Sequence, residues 1–168
     1  LNYDKFLDSV QNVLSELPQV SIIIMCTFGL LSVPRFECLL SDLALLKKTF
    51  GPQRLKLDIT KLINPSYLSI DIANADLRAK IISIPKEISK YNIFSHHEIL
   101  KGERLVASLK DWKNLSPGKR DRVSFFHFIN EYDRRKNLLF CRVFPELNKF
   151  FEECSSLLLG AGAEYYFS

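Results

Sequence analysis

Apolar residues recur along the first part of the chain with two different periods, and each change of period marks an element. Phe6, Val10, Val13, Leu14 and Leu17 share one face at helical spacing between Tyr3 and Leu17, and Pro18 closes the segment. Residues 20–28 read VSIIIMCTF, a nearly unbroken apolar run of strand length, as expected for a strand covered on both faces in a parallel sheet. Gly29 to Val33 reads as a loop. Pro34 suits a first helical turn, and Phe36, Leu40, Leu43, Leu46 and Phe50 continue as an inward stripe until Gly51-Pro52 ends the helix. Leu55, Leu57 and Ile59 then alternate with Lys56, Asp58 and Thr60, which predicts a strand with one apolar and one polar face. A parallel pair needs a crossover connection, so these three segments predict a right-handed β–α–β unit.

Leu68, Ile70 and Ile72 alternate after Asn64-Pro65 and predict a further short strand or extended segment. From Asp76 the pattern is helical through Leu77 and Ile81, with Pro85 expected to kink or divide the segment before Ile88. Ser95 and Glu98 form a capping-box signature, from which Ile99, Val106 and Leu109 carry a helix toward Trp112. Ser116-Pro117 opens the next helix, with Phe125, Phe128, Ile129 and Tyr132 inward and Arg134, Arg135 and Lys136 complementing its C-terminal dipole. A last helix near Pro145 turns Leu147, Phe150, Phe151, Cys154 and Leu158 inward, before Gly160-Ala161-Gly162-Ala163 dissolves the pattern into a flexible tail at 160–168.

With 168 residues, 47% apolar and 25% charged, the chain has the balance of an ordinary globular protein. A net charge of +4 is too small and too interspersed for a dedicated nucleic-acid domain. The apolar run from Val20 to Val33 is shorter than the ~20 residues a membrane helix needs, and a cytoplasmic location without membrane attachment is expected. Cys26, Cys38, Cys141 and Cys154 show neither a C-x-x-C pair nor a zinc spacing, so they read as reduced packing cysteines. The chain opens on Leu1 rather than Met, which reads as a fragment or a processed chain.

Several phrases go further. LNYDKFLDSVQNVLSELPQV, IIIMCTFGLLSVPRFECLLSDL, RLKLDITKL with LSIDI, FSHHEILKGERLV, FINEYDRRKN and VFPELNKFFEEC together touch nearly the entire chain. In that order they resemble the C-terminal portion of twitch-domain-containing radical S-adenosylmethionine (radical SAM) proteins; EYDRRKN followed closely by VFPEL is the most specific succession. The resemblance implies an α/β fold: a partial parallel (β/α) barrel fragment over residues 1–75, with a C-terminal helical extension over 76–159 packed on it. It also implies S-adenosylmethionine and a small-molecule or peptide substrate at the C-terminal ends of the strands, which places Thr27, Phe28, Asp58 and Thr60 as cofactor-binding candidates.

The C-x-x-x-C-x-x-C loop that holds the [4Fe–4S] cluster in such proteins does not occur in this sequence. In the family it follows the first barrel strand, so it is expected upstream of Leu1 if the chain is a truncated enzyme; the competing explanation is a degenerate paralogue that has lost catalysis. Gly29 also departs from the polar residue expected after C-T-F. The implied activity, reductive cleavage of S-adenosylmethionine to a 5′-deoxyadenosyl radical followed by hydrogen abstraction, therefore belongs to a complete relative. This chain alone is expected to bind neither cofactor and to be inactive, and its open sheet edge to favour self-association. The other reading is a non-catalytic α/β protein-interaction domain that holds a partner with its helical tail.

Other patterns read more plainly. His96-His97-Glu98 occupies a first helical turn and points in different directions, so helix-start polarity is preferred over a metal site. His127 and Glu131 are an exposed i,i+4 pair, and the basic clusters at 119–122 and 133–136 contain Asp and bracket one helix as solvated ends. Phe125, Phe126 and Phe128 read as core rather than as a base-stacking platform. Asp58 and Thr27 hold the best functional case, since a strand-end carboxylate and hydroxyl suit a ribose or polar substrate, although Asp58 equally suits a loop-closing role.

Overall fold

A computed structural model of the chain describes residues 2–109 and 118–159. Trp112, the helix start at Ser116-Pro117 and the tail at 160–168 lie outside the described residues. Spatial proximity groups the chain into two compact units. Of the described residues, the first takes 2–27, 35–60 and 81–108; the second takes 28–34, 61–80, 109 and 118–159.

In the first unit, α1 (Tyr3–Glu16) starts where the Asn2 side chain accepts the Lys5 N–H at 3.2 Å. Val10 and Leu14 are its buried residues, while Val13 and Leu17 are exposed, so the inward stripe is narrower than the spacing predicts. The i,i+4 row is covered and the neighbouring i+3 row is left to solvent. α1 packs against α2 (Phe36–Phe50), and the Tyr3 hydroxyl donates to Asp42 at 2.7 Å. A 3-10 turn over Leu30–Arg35, containing Pro34, leads into α2 in place of the expected loop. Gly51, at φ +99°, ends α2 in the left-handed region that favours glycine.

β1 (Ile22–Phe28) and β2 (Leu55–Lys61) form one sheet around this helix. Ile22 N donates to Arg54 O at 2.7 Å and Leu62 N to Phe28 O at 2.9 Å, and these bonds at the two ends fix a parallel register. Arg54 also ties down the approach to β1, donating from Nε to Val20 O at 3.1 Å and from its terminal nitrogen to Leu17 O at 2.7 Å. Among the described residues the architecture is thus mostly helical α/β with a two-stranded parallel sheet, and no barrel is evident.

Two expectations are modified in α3 (Ala75–Ser89) and just before it. Pro85 does not divide the helix, which continues through it. The lost N–H costs one backbone bond, and burial of Ile81, Ile84 and Ile88 on both sides of the proline offsets it. α4 (His96–Ala107) comes close to that stretch at Gly102, where an added Cβ would lie 2.9 Å from Ile88 Cδ1.

The segment over 68–72 is not a strand but two 3-10 turns, Ser66–Leu68 and Ile70–Ile72. Its carbonyls are met by arginines rather than by a neighbouring strand. Arg78 donates to Ala73 O at 2.7 Å and Asp71 O at 2.9 Å, and Arg122 donates to Ile72 O at 2.9 Å and Ala73 O at 3.3 Å. Both belong to the second unit. There the Ser32 hydroxyl accepts the Gly29 N–H at 3.2 Å. Gly29 is required by close approach, because a Cβ would sit 2.8 Å from Leu62 Cδ2 and 2.9 Å from the Leu68 carbonyl oxygen.

The second unit is centred on aromatic packing. Phe125 of α5 (Lys119–Lys136) meets Phe140 of α6 (Phe140–Val143) edge-on and Phe150 of α7 (Asn148–Leu159) at 5.4 Å between ring centroids. Ile129, Leu147 and Cys154 are buried with them, as the spacing predicts, whereas Tyr132 is exposed and Phe128, Phe151 and Leu158 are only half-buried. α5 ends at Asn137 in the left-handed conformation, φ 50°. Asp133 then accepts the Phe140 N–H at 2.7 Å and fixes the turn into α6.

Candidate functional site

The alternation along the two strands divides the sheet into unlike faces. Ile22, Ile24 and Cys26 on β1 and Leu55, Leu57 and Ile59 on β2 turn to the covered side. Ile23, Met25 and Thr27, with Lys56, Asp58 and Thr60, turn to the other side, where Met25 is 76% and Ile23 58% exposed. Parallel sheets are usually covered on both faces; here one face is open. Of the four strand-end candidates, Thr27, Asp58 and Thr60 come to this open face, and the fourth, Phe28, is on the opposite side with its side chain fully buried.

The edge of β2 is closed by a charge network that the sequence reading does not contain. Glu98, on the first turn of α4, accepts the Leu57 N–H at 2.8 Å through Oε1. Its Oε2 accepts the Ser95 N–H at 2.7 Å and the Ser95 hydroxyl at 2.9 Å, completing the capping box that the S-x-x-E spacing predicts. Lys47 of α2 bridges both carboxylate oxygens, at 2.8 and 3.0 Å, and its ammonium lies 5.0 Å from the centroid of the Phe94 ring. The two side chains are only 1% and 3% exposed. Burial by itself pushes the Glu98 pKa up. The Lys47 ammonium, the Ser95 and Leu57 amides and the Ser95 hydroxyl outweigh it and hold the carboxyl below its usual range.

Beside this network is a cavity of about 550 Å³, bounded by Ile23, Lys56 and Leu57 of the sheet and by Ile93, His97 and Lys101. Asp58 belongs to its rim and is half-buried, with Oδ1 2.6 Å from Lys101 Nζ. A carboxylate held in this way closes one strand onto α4, which is the plainer of the two roles its sequence position suggests.

The remaining candidates are engaged elsewhere or exposed. His96 and His97 are exposed at the head of α4, while Glu98 is turned inward to Lys47. His127 is exposed, and Glu131 pairs with Arg134 and Arg135 rather than with it; these two guanidinium groups bring its pKa down to about 2. In the cluster at 119–122, Asp121 accepts from Ser66 at 2.8 Å, and Arg122 lies 5.4 Å from the centroid of the Phe150 ring. Among the described residues no group of three His, Cys, Asp or Glu side chains could hold a metal ion, and no helix is long and apolar enough to cross a membrane.

The cysteines divide by burial. Cys154 and Cys26 pack, with pKa values pushed by burial to about 12 and about 11. Cys38 and Cys141 are exposed, so a packing role does not extend to them.

Sequence reasoning missed Lys47, Lys56 and Lys101. For Lys47 a signal existed: it continues the inward spacing of Phe36, Leu40 and Leu43, so a lysine stands in an apolar stripe. In comparison with known proteins, no family model, curated protein or solved structure matches the chain.

Proposed function

We propose that this chain is the C-terminal part of a radical SAM enzyme, with β1–α2–β2 as the last portion of a partial (β/α) barrel and the remaining helices as its extension. The observation that carries the reading is the parallel β–α–β unit with one open face, on which Thr27, Asp58 and Thr60 turn to the same side. In a barrel the helices lie outside and such a face looks inward. The β2 edge is closed by Glu98, whereas among the described residues no strand lies beyond β1. A preceding barrel strand would add at that edge.

The residues present do not fit a [4Fe–4S] cluster. Its thiolates must come from a compact loop, and here burial keeps Cys26 and Cys154 protonated while Cys38 and Cys141 occupy different helices. No step through a cluster is therefore assigned to this chain. Thr27 and Thr60 fit the polar side of S-adenosylmethionine as hydroxyl partners for a ribose, Asp58, whose Oδ1 pairs with Lys101, would add its other carboxylate oxygen, and a small-molecule or peptide substrate would share the same face. S-adenosylmethionine, once bound in the complete enzyme, supplies the radical chemistry, and this chain contributes binding and the exclusion of water.

The test is anaerobic reconstitution with iron and sulfide. The product of the full reading frame takes up a cluster and releases 5′-deoxyadenosine, and Asp58→Ala lowers that release. The 168-residue chain alone takes up none. An upstream frame without C-x-x-x-C-x-x-C, or stoichiometric cluster in the chain alone, overturns the reading.

A protein-interaction role is the second reading, and one observation favours it. Leu138, Leu139 and Val143, around α6, are exposed apolar side chains close together in sequence.

A further inference from the structure

We propose that the cavity between the open face of the sheet and α4 binds a small monocarboxylate with an apolar tail. Its volume of about 550 Å³ falls within the range of small-molecule sites. The charge of its walls decides the sign of the ligand. Glu98 is committed to Lys47, and Asp58 to Lys101. Lys56, whose side chain turns to the same open face, has no ion-pair partner among the described residues. One cation is left over, which suits one negative charge. Ile23, Ile93 and Pro52 form the apolar part of the wall and suit a hydrocarbon tail.

A phosphate is the weaker fit. Phosphate sites rely on bidentate arginines or on converging free backbone N–H groups. Among the described residues no arginine lines this cavity, and the Ser95 and Leu57 amides beside it are already taken by Glu98. The site also lies toward the N-terminal half of the strands, at Ile23 and Lys56, rather than at the Thr27 and Thr60 end. It shares Asp58 with the proposed barrel interior but does not depend on a radical SAM activity.

Titration of the ¹⁵N-labelled 168-residue chain with hexanoate, followed by backbone amide NMR, tests the assignment. Saturable shifts are expected at Lys56, Asp58 and His97, with affinity about tenfold weaker for Lys56→Gln and close to wild type for Lys56→Arg. Lys56 is exposed, so the dispersed spectrum of either variant reports an intact fold. Hexan-1-ol, which keeps the tail and lacks the charge, is expected to bind about tenfold more weakly than hexanoate. Shifts that do not saturate, equal affinity in Lys56→Gln, or inorganic phosphate binding as tightly as hexanoate would each overturn the proposal.

Discussion

Replacing Lys47 with methionine keeps most of the side-chain volume while removing the ammonium that faces Glu98 at 2.8 and 3.0 Å. The carboxylate then stays buried without its cation. Breaking a buried ion pair from one side costs about 3–5 kcal/mol. Glu98 would keep three donors, the Leu57 and Ser95 amides and the Ser95 hydroxyl, which places the expected loss near the lower end, at about 3 kcal/mol. Glu98→Ala should cost more, about 4 kcal/mol, because it strands Lys47 and also uncovers the Leu57 N–H at the β2 edge. The double variant Lys47→Met/Glu98→Gln should cost less than the sum of its singles, with a coupling of about 2 kcal/mol.

Urea unfolding read by circular dichroism measures the midpoints, and hydrogen exchange at the Leu57 amide reports the edge itself. The pH dependence has a definite sign. The folded pKa of Glu98 is depressed, so its contribution is complete above the ordinary glutamate value and is lost as the pH falls through the folded pKa. Lys47→Met should flatten that acid limb. A cost below about 1 kcal/mol for Lys47→Met, with Leu57 exchange unchanged, would refute the reasoning.

Gly29→Ala should lower the melting temperature, because the new Cβ meets the Leu68 carbonyl oxygen at 2.9 Å and backbone must move; an unchanged melting curve would contradict it. With a thiol reagent near neutral pH, Cys38 and Cys141 should react first and Cys154 only on unfolding, so early labelling of Cys154 in a mass-resolved time course would contradict its burial. Because burial raises the Cys154 pKa from 9.0 to about 12, its contribution to stability is complete below 9.0 and should fall as the pH rises through that interval in alkaline denaturation. The open edge of β1 should let copies associate, and Met25→Lys should shift sedimentation toward monomer; a wild-type chain that is already monomeric at every concentration would sink the idea.

Periodicity alone determined much of this protein. The apolar run at 20–28 and the alternation at 55–60 specify strands, the stripe from Phe36 specifies the helix between them, and S-x-x-E specifies the start of α4. These features are local: each follows from which side chains share a face within a few residues. Alternation at 68–72 misled because buried Ile70 and Ile72 flanking Asp71 have the same pattern in a 3-10 turn as in a strand. What separates the two is where the carbonyls go, and that depends on Arg78 and on Arg122, 50 residues beyond Ile72. Pro85 inside α3 is likewise a local rule overridden by burial on either side. The candidate site shows the same division. That Thr27, Asp58 and Thr60 turn to one face follows from strand period and parallel register, but that Lys47 is buried against Glu98 and closes the β2 edge is a meeting of residues 51 apart. Only tertiary structure can decide such a pairing, because the energy that holds a buried charge comes from partners brought by other elements.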